Sequence, residues 1–257
     1  MIRKLKNAVK EARATWRRAS AVKRLPARQV SAEPAVVVAP HPDDETFGTG
    51  GLIALKRARN VPVTVILLTD GEASLNRFAE ISPEAVGRAR RNQAIAAAGH
   101  LGLDSADVVG LGLADGKIPR KGQPGFEEAV ARLAGELDRQ GAREIYCPHP
   151  HDGLPDHEAA AGIALAAASR LGSQFRIHFY VVWAWFNAQS PLRDRLDLDA
   201  GWRLDIGTVY AEKQAAIAQY LDGERAPGGH PYCGYLPAAI SDCGRADYEV
   251  FFDDDVR

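Results

Sequence analysis

Residues 34–40, Pro-Ala-Val-Val-Val-Ala-Pro, are apolar throughout and run straight into His41-Pro42-Asp43-Asp44-Glu45. A strand that is apolar at successive positions is buried on both faces, so helices must cover it above and below. The pattern recurs in VPVTVILLTDG (61–71), ADVVGLGLADG (106–116), REIYCPHP (143–150) and FRIHFYVVWAW (175–185). Helical segments lie between these runs. GTGGLIALKRARN (48–60) opens one, and a second is expected from Pro83 to about Gly99. The amphipathic GFEEAVARLAGELDRQG (125–141) and the alanine-rich HEAAAGIALAAASRL (157–171) are two more. A further helix near 209–221 and a terminal strand YEVFF (248–252) complete the pattern. Such alternation predicts an α/β fold: a doubly wound, mainly parallel, Rossmann-like sheet with helices on both faces.

In open parallel sheets ligands collect beyond the carboxyl ends of the strands. The polar clusters of this chain fall at those ends: His41-Pro-Asp43-Asp44, Thr69-Asp70-Gly71-Glu72, Gly110 to Gly116, and Pro148-His149-Pro-His151-Asp152. Four strand ends facing one crevice make a site. It does not read as a nucleotide site, because GTGG is not GxGxxG and the P-loop lysine with its Ser or Thr is missing.

A length of 257 residues with 46% hydrophobic and 25% charged residues suits one ordinary globular domain, expected over residues 31–257. Residues 1–30 stand apart as a basic helix and linker. They hold ten Lys or Arg against the single acid Glu11, leaving 22 basic and 32 acidic residues in the remainder. Ile2, Leu5, Val9, Ala12, Trp16 and Ala19 form an apolar stripe at helical spacing, with the basic residues opposite. Two readings stay open for this amphipathic helix. Either it packs on its own domain or a partner, or residues 2–25 touch an anionic membrane surface peripherally. A net charge of −1 argues against nucleic acid as a partner. Three cysteines without CxxC spacing fit a reducing compartment, and no apolar run reaches membrane-span length or resembles a secretory signal. The expected location is cytoplasmic, with the inner membrane surface as the peripheral alternative. Oligomeric state is not legible.

His41 and Asp44 can reach one ion if the strand-to-helix turn is tight, and a mixed nitrogen and oxygen set suits Zn²⁺ or another divalent first-row metal. A third ligand must come from another loop. HPHDGLPDHEAA (149–160) offers His157 at a helix start, with His149, His151, Asp152 and Asp156 nearby. His41, Asp44 and His157 would leave coordination positions open for water, and Asp43 is placed to take a proton from it. The bland reading of an Asp before a helix is an N-cap, which would suit Asp156. Taken this far, the residues describe a metal-assisted hydrolase.

In chain order, PHPDDE-x-x-G-x-G-G, LTDGE, R-R-x-x-A-x-x-A-A-x-x-L-G, LGLADG and PDHEAA resemble the LmbE-like, or PIG-L, family of zinc-dependent de-N-acetylases over about residues 35–170. KQAAIAQY (213–220) looks like that family's late helix. The resemblance implies hydrolysis of the N-acetyl group of an N-acetylglucosamine-type glycoconjugate to acetate and a free amine. By position it makes His41, Asp44 and His157 the zinc ligands and Asp43 the general base. It puts Glu72, Arg91 and Asp115 against the sugar or its substituent.

Two positions depart from the family pattern. Many relatives read His-Pro-Asp-His in the second motif, the first His polarising the carbonyl and protonating the leaving amine. Here Leu154 stands in its place. Either His151 or His149 then substitutes as a catalytic residue, or the chain is an impaired metal- or sugar-binding protein. Asn92 and Gln93 stand where relatives commonly carry a Glu. The substrate expected from the basic N-terminus is a membrane-linked saccharide, such as a surface-polysaccharide or lipopolysaccharide intermediate. A soluble thiol-cofactor precursor is the alternative.

Overall fold

The computed structural model of the chain describes residues 22–74, 81–172, 175–184, 197 and 200–254. The stripe expected over residues 2–19 lies outside the described residues. Among those described, eight strands form one sheet: β1 (Ala27–Arg28), β2 (Ala35–Ala39), β3 (Val63–Thr69), β4 (Val108–Leu113), β5 (Glu144–Pro148), β6 (Arg176–Tyr180), β7 (Gly201–Asp205) and β8 (Tyr248–Asp253). Their order is β1-β7-β8-β6-β5-β2-β3-β4, and β8 alone runs antiparallel to its neighbours. The helices are α1 (Asp44–Arg57), α2 (Pro83–His100), α3 (Phe126–Arg139), α4 (Pro155–Leu171), α5 (Tyr210–Leu221) and α6 (Ala238–Gly244). None of the described helices is long and apolar enough to cross a membrane.

Strand β2 shows why both faces need cover. Ala35, Val37 and Ala39 enter one core with Leu52 and Ile53 of α1, Ala94 and Ala97 of α2, and Ile217 of α5. Val36 and Val38 enter the other, with Leu133 and Leu137 of α3 and Ile163 and Ala167 of α4. Val36, Val37 and Val38 are fully buried, each contributing roughly 1.5–3 kcal/mol relative to exposure. The GTGG run has a packing cause rather than a phosphate-binding one. A Cβ on Gly48 would overlap the Tyr180 ring, and one on Gly51 would overlap Ile206.

Connections β2-α1-β3-α2-β4 and β5-α4-β6 wind outward in opposite directions, so the strand order reverses between β2 and β5. The loops after these two strands therefore splay apart and open a crevice. Two elements depart from the sequence expectation. The long run 175–185 ends as a strand at Tyr180, because the backbone N–H groups of Val182, Trp183 and Ala184 turn to the Asp152 carboxylate at 2.9, 3.1 and 3.0 Å. Within the linker, Ala27–Arg28 pairs with β7. Val22 and Leu25 just before it are buried in the α3–α4 core.

Candidate metal centre at the switch point

The turn from β2 into α1 is unusually constrained. Asp43, at the N-cap position, has φ 130° and makes no side-chain capping bond. Such a backbone costs a non-glycine residue on the order of 1–3 kcal/mol and persists only where surroundings enforce it. Glu45 does the enforcing. Its buried carboxylate accepts from Asp43 N–H (2.9 Å), Thr46 Oγ1 (2.7 Å) and Tyr220 OH (2.5 Å). The result turns the Asp43 carboxylate away from the helix and onto Arg90 Nη2 at 3.1 Å.

His41, Asp44 and His157 converge, their ligand atoms all within 4.8 Å of one another. Asp44 Oδ2 lies 3.1 Å from His41 Nδ1 and 3.2 Å from His157 Nε2. Each imidazole is held from its far side. His157 Nδ1 meets Asp152 Oδ2 at 2.7 Å, and His41 Nε2 lies 3.2 Å from Asp115 Oδ1 and 3.3 Å from Asp156 Oδ2. With those nitrogens donating, His41 Nδ1 and His157 Nε2 present lone pairs to a carboxylate oxygen. His157 Nε2 is buried and has no hydrogen-bond partner among the described residues. Three acceptors facing one point repel unless a cation or protons lie between them, so the donor set fits a metal ion.

The electrostatics agree. Burial alone lowers the His157 pKa, yet the Asp44 and Asp152 carboxylates overcome it and bring it to about 9. Burial likewise opposes protonation of His41, but Asp115, Asp156 and Asp44 raise it well above its ordinary value. A metal ion would displace those protons and supply the positive charge that the carboxylates demand. Asp43 moves the other way from Asp44. Burial lifts it above the usual carboxylate range, Arg90 opposing and Asp44 adding to the rise.

His41, Asp44 and Asp43 open on a cavity of about 200 Å³, also lined by Phe47, Ser74, Arg90, Asp115, Leu154 and Trp183 among others, while His157 lies fully buried behind Asp44. Asp115 is therefore at the cavity, with Oδ2 on Ala73 N–H at 2.8 Å. Glu72 does not line it. Its Oε1 braces the loop by accepting from Asp115 N–H at 2.8 Å. Nor does Arg91, which pairs with Asp70 at 3.2 Å and is partly exposed.

Arg90, the residue before Arg91, does line the cavity. It is buried, bonding Gly71 O (2.9 Å), Pro42 O (2.6 Å) and Asp43. A Cβ on Gly71, whose φ is +67°, would overlap the Arg90 guanidinium, which explains the glycine of TDGE. The signal was present in the sequence. Val86, Arg90, Gln93 and Ala97 fall on one helical stripe, and Arg91 sits about 100° away from it. Asp152, a mere neighbour in the sequence reading, is the fully buried partner of His157.

His149 and His151 are not brought to the cavity. The His149 ring packs edge-on against Phe179 and Phe252, its Nδ1 accepts from His151 N–H at 3.0 Å, and burial drops its pKa to about 4. Leu154 is the α4 N-cap residue, with no side-chain capping bond, and lines the cavity. Asp156 is not the cap. Its Oδ2 accepts from Gly116 N–H at 2.8 Å, tying the β4 and β5 loops together.

Comparison with known proteins follows this geometry. The profile of the PIG-L family, described as GlcNAc-PI de-N-acetylase, matches residues 36–168, just over half of the chain. The 1D-myo-inositol 2-acetamido-2-deoxy-alpha-D-glucopyranoside deacetylase of Mycobacteroides abscessus is 27% identical over 211 residues, covering 74% of this chain and 76% of its own. A Bacillus subtilis protein named "Probable N-acetyl-alpha-D-glucosaminyl L-malate deacetylase 2" is 33% identical over 144 residues, 54% of this chain and 62% of its own. Among solved structures, the conserved protein TT1542 of Thermus thermophilus superposes with a TM-score of 0.60 at 25% identity, covering 86% of this chain and 94% of its own.

Proposed function

This chain belongs to the PIG-L family, a metal-dependent amide hydrolase of N-acetylglucosamine-type substrates by that membership, and we propose how its own residues do the work. His41, Asp44 and His157 hold the metal, Asp43 is the general base, and Arg90, Asp115 and Ser74 receive the sugar. The observation that carries this reading is the orphaned Nε2 of buried His157, aimed at the Asp44 oxygen that His41 also approaches.

A bound Zn²⁺, or another divalent first-row ion, would polarise the acyl carbonyl and lower the pKa of a water toward about 7. Arg90 holds Asp43 Oδ2 and so fixes the direction of the carboxylate. Burial raises the proton affinity of Asp43, which suits it to accept the proton of the attacking water. As the carbon–oxygen bond forms and the carbon–nitrogen bond breaks, Asp43 passes that proton to the leaving amine. Leu154 has none to give, and neither His149 nor His151 lines the cavity. One carboxylate thus serves as base and then acid.

The relatives' sugars are joined to inositol or malate, which supports a small soluble glucosaminide as substrate over a membrane-linked one. The lipid-linked reading draws on the basic residues of 1–30 and on the GlcNAc-PI of the family's description. The burial of Val22 and Leu25 supports a segment that packs, at its end, on its own domain.

The test pairs metal content with amine release. Wild type, purified with zinc supplied, should carry about one ion per chain and His157→Ala almost none. The wild type should release amine from N-acetylglucosaminyl inositol or malate. Equal metal content in both proteins would dissolve the trio. Full metal loading with no amine release from either conjugate would overturn this substrate class.

A further inference from the structure

The cavity has two unlike sides, and sheet order separates them. Toward β3 and β4 the lining is polar: Ser74 on the loop after β3, Arg90 on α2, and Asp115 on the loop after β4. Toward β5 and β6 it is apolar. Leu154 follows β5, and Val182 and Trp183 follow β6. Phe47 and Ile240 add apolar lining, and Cys233 and Leu236 come from the segment that Ser74 holds through its bond to Tyr232 O at 2.6 Å. The trio lies between the two sides, where the chain after β2 and after β5 turns into α1 and α4.

An N-acyl glucosaminide bound with its amide at the trio must send one end each way. A sugar hydroxyl turned to Leu154 and Trp183 would lose its water partners for nothing, at a cost of about 1–3 kcal/mol. The sugar therefore belongs on the Arg90–Asp115 side, and the acyl group faces Leu154, Val182 and Trp183. An acetyl group offers that apolar side a single methyl.

Resting on the activity proposed above, we infer that the preferred acyl group is an unbranched chain longer than acetyl, seated on Leu154, Val182 and Trp183. Each further methylene buried there should raise kcat/KM about fourfold until the cavity is full. Leu154, at the start of α4, presents its isobutyl group to the cavity on this apolar side.

The experiment compares N-acetyl, N-butanoyl and N-hexanoyl glucosamine methyl glycosides with the zinc-loaded full chain, reading amine release. In parallel, calorimetry compares binding of acetate and hexanoate to the same protein. The expected result is a rise in kcat/KM from acetyl to hexanoyl and tighter binding of hexanoate, at least tenfold. Both ratios should shrink in Trp183→Ala and in Leu154→Asn. A kcat/KM that falls with chain length, or hexanoate binding no tighter than acetate, overturns the inference while the hydrolase reading stands. Absence of amine release from all three glycosides overturns the hydrolase reading, and the binding ratio then decides the apolar side by itself.

Discussion

Two buried ionic clusters lie close together in this molecule and end differently. At Lys213 and Glu249 every charge is answered. The ammonium meets Glu249 Oε1 at 2.6 Å and Phe47 O at 3.1 Å, and the carboxylate also accepts from Gly51 and Leu52 N–H at 2.6 and 2.9 Å. At the switch point, five carboxylates (Asp43, Asp44, Asp115, Asp152 and Asp156) surround two imidazoles and one guanidinium, and His157 Nε2 is unsatisfied. A closed network fixes how two elements pack. An open one is tolerable only when a further charge completes it.

The comparison can be broken by mutation. Asp43→Asn should slow turnover by roughly 10²–10⁴ while metal content stays near that of wild type. Turnover within tenfold of wild type would remove Asp43 from the mechanism. In the closed cluster the sign pattern reverses. Lys213→Met leaves Glu249 buried beside apolar surface and should cost about 3–5 kcal/mol in a urea titration, with metal affinity unchanged. The double variant Lys213→Met, Glu249→Gln should recover part of that loss.

Asp152→Asn sharpens the contrast from the site's side. It weakens the hold on His157 Nδ1 and should reduce zinc affinity about 10–100-fold in chelator competition. An unchanged affinity would mean that the ring is oriented by packing alone.

A smaller effect is expected at the opposite end of the sheet. There burial opposes ionisation of Glu144, but His178 and Lys56 prevail and hold its pKa at about 2. The folded value lies below the unfolded one, so the stabilisation is complete above pH ~4.5 and is lost as pH falls from there toward 2. It should amount to on the order of 2 kcal/mol. The wild-type stability curve should fall more steeply than that of Glu144→Gln in this window, and parallel curves would refute the assignment. The smallest change expected is at Leu154→His, where an added imidazole should speed acetyl hydrolysis about tenfold while weakening binding of longer acyl chains.

The amino-acid order by itself determined the mostly parallel sheet and brought the candidates His41, Asp44 and His157, which the fold draws together, to the carboxyl ends of its strands. Apolar runs and the polar residues that end them are local properties, readable one segment at a time. Other features needed the folded chain. Asp152 was identified as the partner of His157 by the backbone turn at Val182–Ala184, thirty residues further along the chain. His149 was withdrawn from the site by Phe179 and Phe252, two residues on different strands. Each of these outcomes depends on which face a side chain presents once distant elements have packed, and no local pattern encodes that angle.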